Sequence, residues 1–145
     1  MQKTICIIDG QGGSIGAVLI RYIRAEFKET VQVIAIGTNA IATAQMLKAG
    51  ANRGATGETP ICRAAPDADV IMGPIAITWA NAMLGEVTPK MAEAVTSSLA
   101  LKILLPLNQE KVRIVGVAHE PLPHLVQAAI EKELKKELKE EVNHV

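Results

Sequence analysis

The residues Asp9-Gly10-Gln11-Gly12-Gly13-Ser14-Ile15-Gly16 form the stretch of this chain best suited to chemistry. They follow the apolar run Ile5-Cys6-Ile7-Ile8 and open a helical pattern. Four glycines in seven positions leave backbone N–H groups unobstructed by side chains. A helix N-terminus aimed at the same spot adds partial positive charge, and together they cradle an anion, usually the phosphates of a nucleotide. The spacing of Gly10, Gly13 and Gly16 sets a small residue at the turn, at the phosphate approach and at the helix–strand contact. The plain alternative is a sharp βα turn that binds nothing. The strand–turn–helix context favours the cradle.

The expected ligand is NAD or NADP, with its diphosphate over Gly10–Gly16. A typical NAD site carries an acidic residue roughly 20 positions beyond the loop, which accepts hydrogen bonds from the ribose hydroxyls. Here that position falls at Gly37-Thr38-Asn39, with neither a carboxylate nor an arginine to attract a 2′-phosphate. Thr38 and Asn39 can bond a ribose or a phosphate, or simply cap a helix. The choice between NAD and NADP stays open, as do a mononucleotide and FMN. Gly73-Pro74-Ile75-Ala76 should line the same crevice at the end of a central strand, Gly73 allowing close approach and Pro74 fixing the turn. It can equally be a simple strand terminator. Thr56-Gly57-Glu58 is expected to border the adenine side.

A hydride-transfer enzyme would also need a proton-transfer group near the nicotinamide. The segment after Gly73 offers Thr78, Asn81, Glu86 and Lys90, together with Asn108. Only Glu86 and Lys90 among these titrate, and both also read as ordinary surface residues. His119 and His124 are five apart in a Pro-rich turn, which is not a metal spacing, and His144 is close to the end of the chain. No histidine is given a role. The first functional reading is therefore a nucleotide-binding protein of unassigned chemistry, such as a sensor of cofactor or redox state. The alternative is a small NAD(P)-dependent oxidoreductase whose substrate pocket is completed at a subunit interface.

Alternating strand and helix patterns must position these residues, and they argue for a parallel sheet covered on both faces. Strands are predicted at Thr4–Asp9, Val31–Ile36, Asp69–Gly73, Lys102–Leu107 and Val112–Ala118. The first helix runs from Ser14 to Lys28 with Ile15, Val18, Leu19, Tyr22, Ile23 and Phe27 on its apolar face. A second starts at a Thr38 or Asn39 cap and stops at Gly50. Ala51–Pro66 reads as loop with one very short strand. Helices follow at Ile75–Leu84 and Pro89–Leu99, the latter with Thr88 as cap and Pro89 at its first position. A strong final helix spans Pro121–Val142, with Glu131 and Lys135 as an i,i+4 pair. Four residues between the last two strands are too few for a parallel crossover, so those strands should pair antiparallel. Asn108 then falls on the glycine-loop edge of the sheet and His119 on the opposite edge. The fold expected is a three-layer Rossmann-like doubly wound α/β domain over residues 1–145, mostly parallel with one antiparallel edge strand.

Fifteen basic and fifteen acidic side chains cancel in 145 residues, so the footprint of a duplex-binding protein is missing. Trp79, Tyr22 and Phe27 are too few aromatics for a single-strand stacking platform. No apolar run approaches a membrane span, no signal-peptide pattern opens the chain, and two cysteines suggest no disulfide framework. A cytoplasmic protein without nucleic-acid or membrane partners is expected. The apolar stretch Val70–Leu84 holds the sole Trp and exceeds what one strand and one helix need. That points to a homodimer with Trp79 and its helix at the contact.

Residues 9–16 resemble the TGxxGxxG loop of extended short-chain dehydrogenases, with Asp9 in the threonine position. The Tyr-x-x-x-Lys pair of those enzymes is missing, since Tyr22 lies in the first helix with Glu26 four residues on. A wider resemblance runs through Ile8–Gly13, Gly37–Ala44, Met83–Pro89 and Ile103–Asn108. These segments are similar to a small bacterial family catalogued as a domain of unknown function. That resemblance implies a Rossmann-like fold and dinucleotide binding, and assigns no catalytic residue.

Overall fold

Alternation along the central strands decides which layer covers which face. In the computed structural model, which describes residues 2–142, β1 (Lys3–Asp9) sends Ile5 and Ile7 into one core and Cys6 and Ile8 into another. β2 (Val31–Gly37) splits in the same way, Val33 and Ala35 to the first core and Ile36 to the second. Helices α1 (Ser14–Phe27) and α2 (Ala40–Lys48) cover the Ile5 face with Leu19, Ile20, Ile23 and Met46. Helices α3 (Glu58–Ala64) and α4 (Pro89–Ser97) cover the Cys6 face with Ile61, Met91 and Val95. Each fully buried side chain of the size of Ile20 contributes about 1.5–3 kcal/mol. Burial pushes the Cys6 thiol up to about 12, which leaves it an inert core residue.

Strands β3 (Arg53–Thr56), β4 (Val70–Pro74) and β5 (Leu101–Leu105) complete a sheet in the order β3-β2-β1-β4-β5. Every pairing among the described residues is parallel, with Ile5 opposite both Val33 and Val70, and Val70 opposite Leu101. The chain winds outward from β1 through β2 to β3, then returns to the other side of β1. Ligands in open α/β sheets settle at such a reversal, beyond the carboxyl ends of the strands.

The expected antiparallel edge strand is not seen among the described residues. Residues 106–121 are irregular, Val112 and Val117 are partly exposed, and Val115 is 98% exposed. The valines have strand propensity but no face to bury, and Gly116 turns the backbone at φ 87°. The predicted helix Ile75–Leu84 is also replaced. A single 3-10 turn, Ile75–Thr78, gives way to turns in which Asn81, Met83, Leu84 and Gly85 all take positive φ. Trp79 therefore has no helix to ride on; half-buried, it packs against the α4-side core. Conversely, α3 stands inside the predicted loop, with Pro60 tolerated in its first turn and Ile61 buried. Tyr22 is exposed on α1, and Ala17 and Ile20 take the buried positions.

The final helix holds from Leu122 to Val142 as α5 (Leu122–Ala128), a wide π turn at Ala129–Leu134, and α6 (Lys135–Val142). Val126, Ala129, Ile130 and Leu134 are buried against α1 and the sheet. Lys135 reaches Glu26 Oε1 on α1 at 2.7 Å, an ion pair that crosses between helices, while the charge of Glu131 also acts on it. His144 lies outside the described residues.

Candidate active site

The glycine loop is organised around a buried carboxylate. Asp9 ends β1 with its side chain turned under α1, where Oδ1 accepts from the Gly10 N–H and Oδ2 from the Gly16 N–H, each at 2.7 Å. It thus serves the first turn of a helix whose own N-cap, Gly13, has no side chain to offer. Burial raises the Asp9 carboxyl above its ordinary value; the amides of Gly16, Gly10 and Ile15 pull it down, and the Glu86 charge pushes it up. The turn itself closes through Gly13 N–H to Gly10 O at 2.9 Å, with Gln11 at φ 49° and Gly13 at φ 73°.

The three glycines of the threefold spacing are packing residues. A Cβ on Gly10 would lie 2.5 Å from Thr38 Oγ1, on Gly13 2.7 Å from Ala42 Cα, and on Gly16 2.5 Å from Met46 Sδ. Gly12 alone in the loop is open, with nothing within 4 Å of its Cβ position. Gly13, expected at the phosphate approach, is the glycine that packs on the α2 backbone, and Gly12 is the one with open space beside it.

Above the loop lies a cavity of about 310 Å³, lined by Gly10–Ile15 with Pro74, Ala76, Leu107 and Asn108 across from them. Backbone amides, a helix N-terminus and an unobstructed glycine fit the diphosphate of a nucleotide. Among the described residues the cavity wall includes Asp9 and Glu110 but no Lys or Arg, so the positive potential there is that of backbone N–H groups and the α1 N-terminus. Asn108 Oδ1 accepts from the Glu110 N–H at 3.0 Å, and Glu110 Oε1 in turn accepts from the Met83 N–H at 3.3 Å. These bonds join the loops that follow β4 and β5.

Of the two roles read for Thr38 and Asn39, Asn39 fills the helix cap, and both side chains also turn to Glu86. Asn39 Oδ1 caps α2 by accepting from the Ala42 N–H at 2.9 Å, while its Nδ2 donates to Gln11 O and to Glu86 Oε1, both at 2.9 Å. Thr38 Oγ1 donates to the same Glu86 oxygen at 2.6 Å, and the Gln11 N–H donates to it at 2.9 Å. Burial raises the Glu86 carboxyl, but the bonds from Thr38, the Gln11 amide and Asn39 outweigh it and hold the group below its usual range. Glu86 appears in the sequence as an acid–base candidate; that it meets Thr38 and Asn39 was not legible there.

Other expected positions divide. Pro74 and Ala76 line the cavity; Gly73 does not, and a Cβ there would lie 2.2 Å from Ile8 O on β1. Thr78 Oγ1 is spent on Ile75 O at 2.7 Å. Thr56 pairs with Thr43 and Glu58 with Thr88, and neither lines the glycine cavity. His119 is not on the opposite edge. Without the final strand, the chain folds back and places His119 and Arg113 in a second cavity of about 250 Å³, which shares Leu107 and Asn108 with the first.

Among the described residues no helix is long and apolar enough to cross a membrane. Comparison with curated proteins and with solved structures finds no match. The family comparison does find one: the chain belongs to the family described as a domain of unknown function (DUF3842), whose model matches residues 4–139.

Proposed function

We propose that this family member binds a nicotinamide dinucleotide, NAD or NADP, in a Rossmann-like site with the diphosphate over Gly10–Ile15, and acts as a sensor of cofactor state. One observation carries the reading: the sole unobstructed glycine of the loop, Gly12, faces a cavity at the reversal of a β3-β2-β1-β4-β5 sheet. When bound, the cofactor supplies hydride chemistry. The chain's own residues bind and orient it through the Gly12 and Ser14 amides at the α1 N-terminus, since the amides of Gly10, Gln11, Gly13 and Gly16 are bonded within the fold. Non-catalytic use is supported by the state of Glu86, one of the two titratable candidates, whose Oε1 is held by Thr38 and Asn39 within the fold.

Thermal shift against NAD, NADP, FMN and ATP tests the reading. At a hundred times its dissociation constant, a cognate ligand adds about 2.7 kcal/mol, a rise of roughly 5–10 °C for a chain of this size. No response to any of the four refutes it.

The oxidoreductase reading is favoured by a separate observation, the neighbouring cavity holding His119 and Arg113 beyond Asn108. It requires hydride transfer that falls when His119→Ala is made. We also propose a homodimer, supported by bare apolar side chains at Leu84 and Leu99, which are 99% and 100% exposed. Light scattering at tens of micromolar should return twice the 15.4 kDa chain mass, and a monomeric mass refutes it.

A further inference from the structure

We propose that Glu86 supplies, from the loop after β4, the ribose-binding carboxylate that the end of β2 lacks, so that the site selects NAD over NADP. This rests on the dinucleotide reading and deepens it. In sheets of this winding, the acceptor for the adenosine ribose hydroxyls stands just past the second strand. Here Thr38 and Asn39 stand there, and neither carries a charge. Their side-chain donors both point at one atom, Glu86 Oε1, at 2.6 and 2.9 Å, and the Gln11 amide completes the set at 2.9 Å. A Cβ on Gly10 would come within 3.1 Å of the same oxygen, which sets the carboxylate against the glycine loop itself.

The backbone that delivers Glu86 is built for the task. Ala82, Met83 and Val87 are buried in the core on the α4 side, and they anchor the turn on either side of the glutamate. Within it, Gly85 N–H bonds Asn81 O and Glu86 N–H bonds Met83 O, both at 3.1 Å. Asn81, Met83 and Leu84 hold left-handed φ of 68°, 57° and 57°, a conformation residues with side chains adopt only when their surroundings impose it. Leu84 is driven fully into solvent by this path.

One carboxylate oxygen is thus fixed by three donors, while Oε2 accepts no hydrogen bond among the described residues. A free, oriented carboxylate oxygen beside a diphosphate cradle suits the hydroxyls of a ribose. A 2′-phosphate would bring a dianion against an ionised carboxylate whose hydrogen-bond donors, the Gln11 amide, Thr38 and Asn39, are all uncharged.

Isothermal titration of the full chain with NAD, NADP and NAD lacking the 2′-hydroxyl on its adenosine ribose tests the proposal. The wild type should bind NAD at least about tenfold more tightly than either of the others, the effect of one charge-assisted hydrogen bond. Glu86→Gln should weaken NAD and bring the NAD-to-NADP ratio towards one. Equal affinity for NAD and NADP, tighter NADP, or a ratio unchanged in Glu86→Gln overturns the role of Glu86 while leaving dinucleotide binding intact. Binding of none of the three overturns both. If Glu86→Gln fails to fold, the three wild-type affinities decide alone.

Discussion

At the scale of single residues, the loop separates glycines that the fold needs from the one a ligand needs. Gly13→Ala puts a Cβ 2.7 Å from the α2 backbone at a left-handed φ of 73°, and neither can yield cheaply. It should cost about 1–3 kcal/mol in urea unfolding. Gly12→Ala meets no atom and should change stability by less than about 0.5 kcal/mol, while dinucleotide affinity drops. Equal stability loss in both variants would contradict this division. The two acidic residues that flank the loop carry opposite pH signatures. Glu86 is held below 4.5, so the folded state binds its proton less tightly than the unfolded chain. Its contribution is full above that value and disappears as pH falls through the folded one. Asp9 is raised above 3.8, so its contribution is full below that value and fades as pH rises through the folded one. Relative to wild type, Asp9→Asn should therefore gain stability as pH is raised from about 3 to 7, and Glu86→Gln should recover as it is lowered. Urea midpoints across that range check both signs, and parallel curves would refute them.

At the scale of elements, Arg24 is a junction no periodicity announces. At the end of α1, its Nε donates to Gly50 O at 2.8 Å, and Nη1 to Lys28 O at 2.9 Å and Val31 O at 3.1 Å. Its Nη2 reaches Asn52 Oδ1, which also accepts from the Val33 N–H at 2.8 Å. The end of one helix, the start of β2 and the turn before β3 thereby share one guanidinium. Arg24→Ala should cost about 2–3 kcal/mol in chemical denaturation, and Arg24→Lys should recover less than half, since an ammonium cannot span the fork. Full rescue by lysine would show that charge alone matters. What the sequence made legible was whatever is local: the apolar runs of β1, β2, β4 and β5, the α1 and α2 patterns, the Thr88 cap on Met91, and the loop's strand–turn–helix setting. It failed where distant chain decides. Helix α3 is too short to show a period and buries a single Ile61, and the valines of 112–118 have propensity but no partner. The turn carrying Glu86 owes its shape to Ala82, Met83 and Val87 in the core. The glutamate's own partners are Gln11, Thr38 and Asn39, far back in the chain.

At the scale of the whole molecule, the sheet order has a consequence for how the chain comes into being. β1 lies at the centre of the sheet, yet of its two neighbours only β2 follows promptly; Ile5 must wait for Val70 on the other flank. During synthesis the half made of β1, α1, β2, α2 and β3 emerges with a bare, apolar inner edge, Ile5-Cys6-Ile7, open to any other strand. A fragment ending at Gly57 should therefore sediment as aggregates at micromolar concentration while the full chain does not, because exposed strand edges recruit one another. A soluble monomeric fragment would show that the first half shields that edge by itself. The centre of the sheet, where the glycine loop begins, is thus the part of the molecule that a ribosome completes late and a chaperone has most reason to hold.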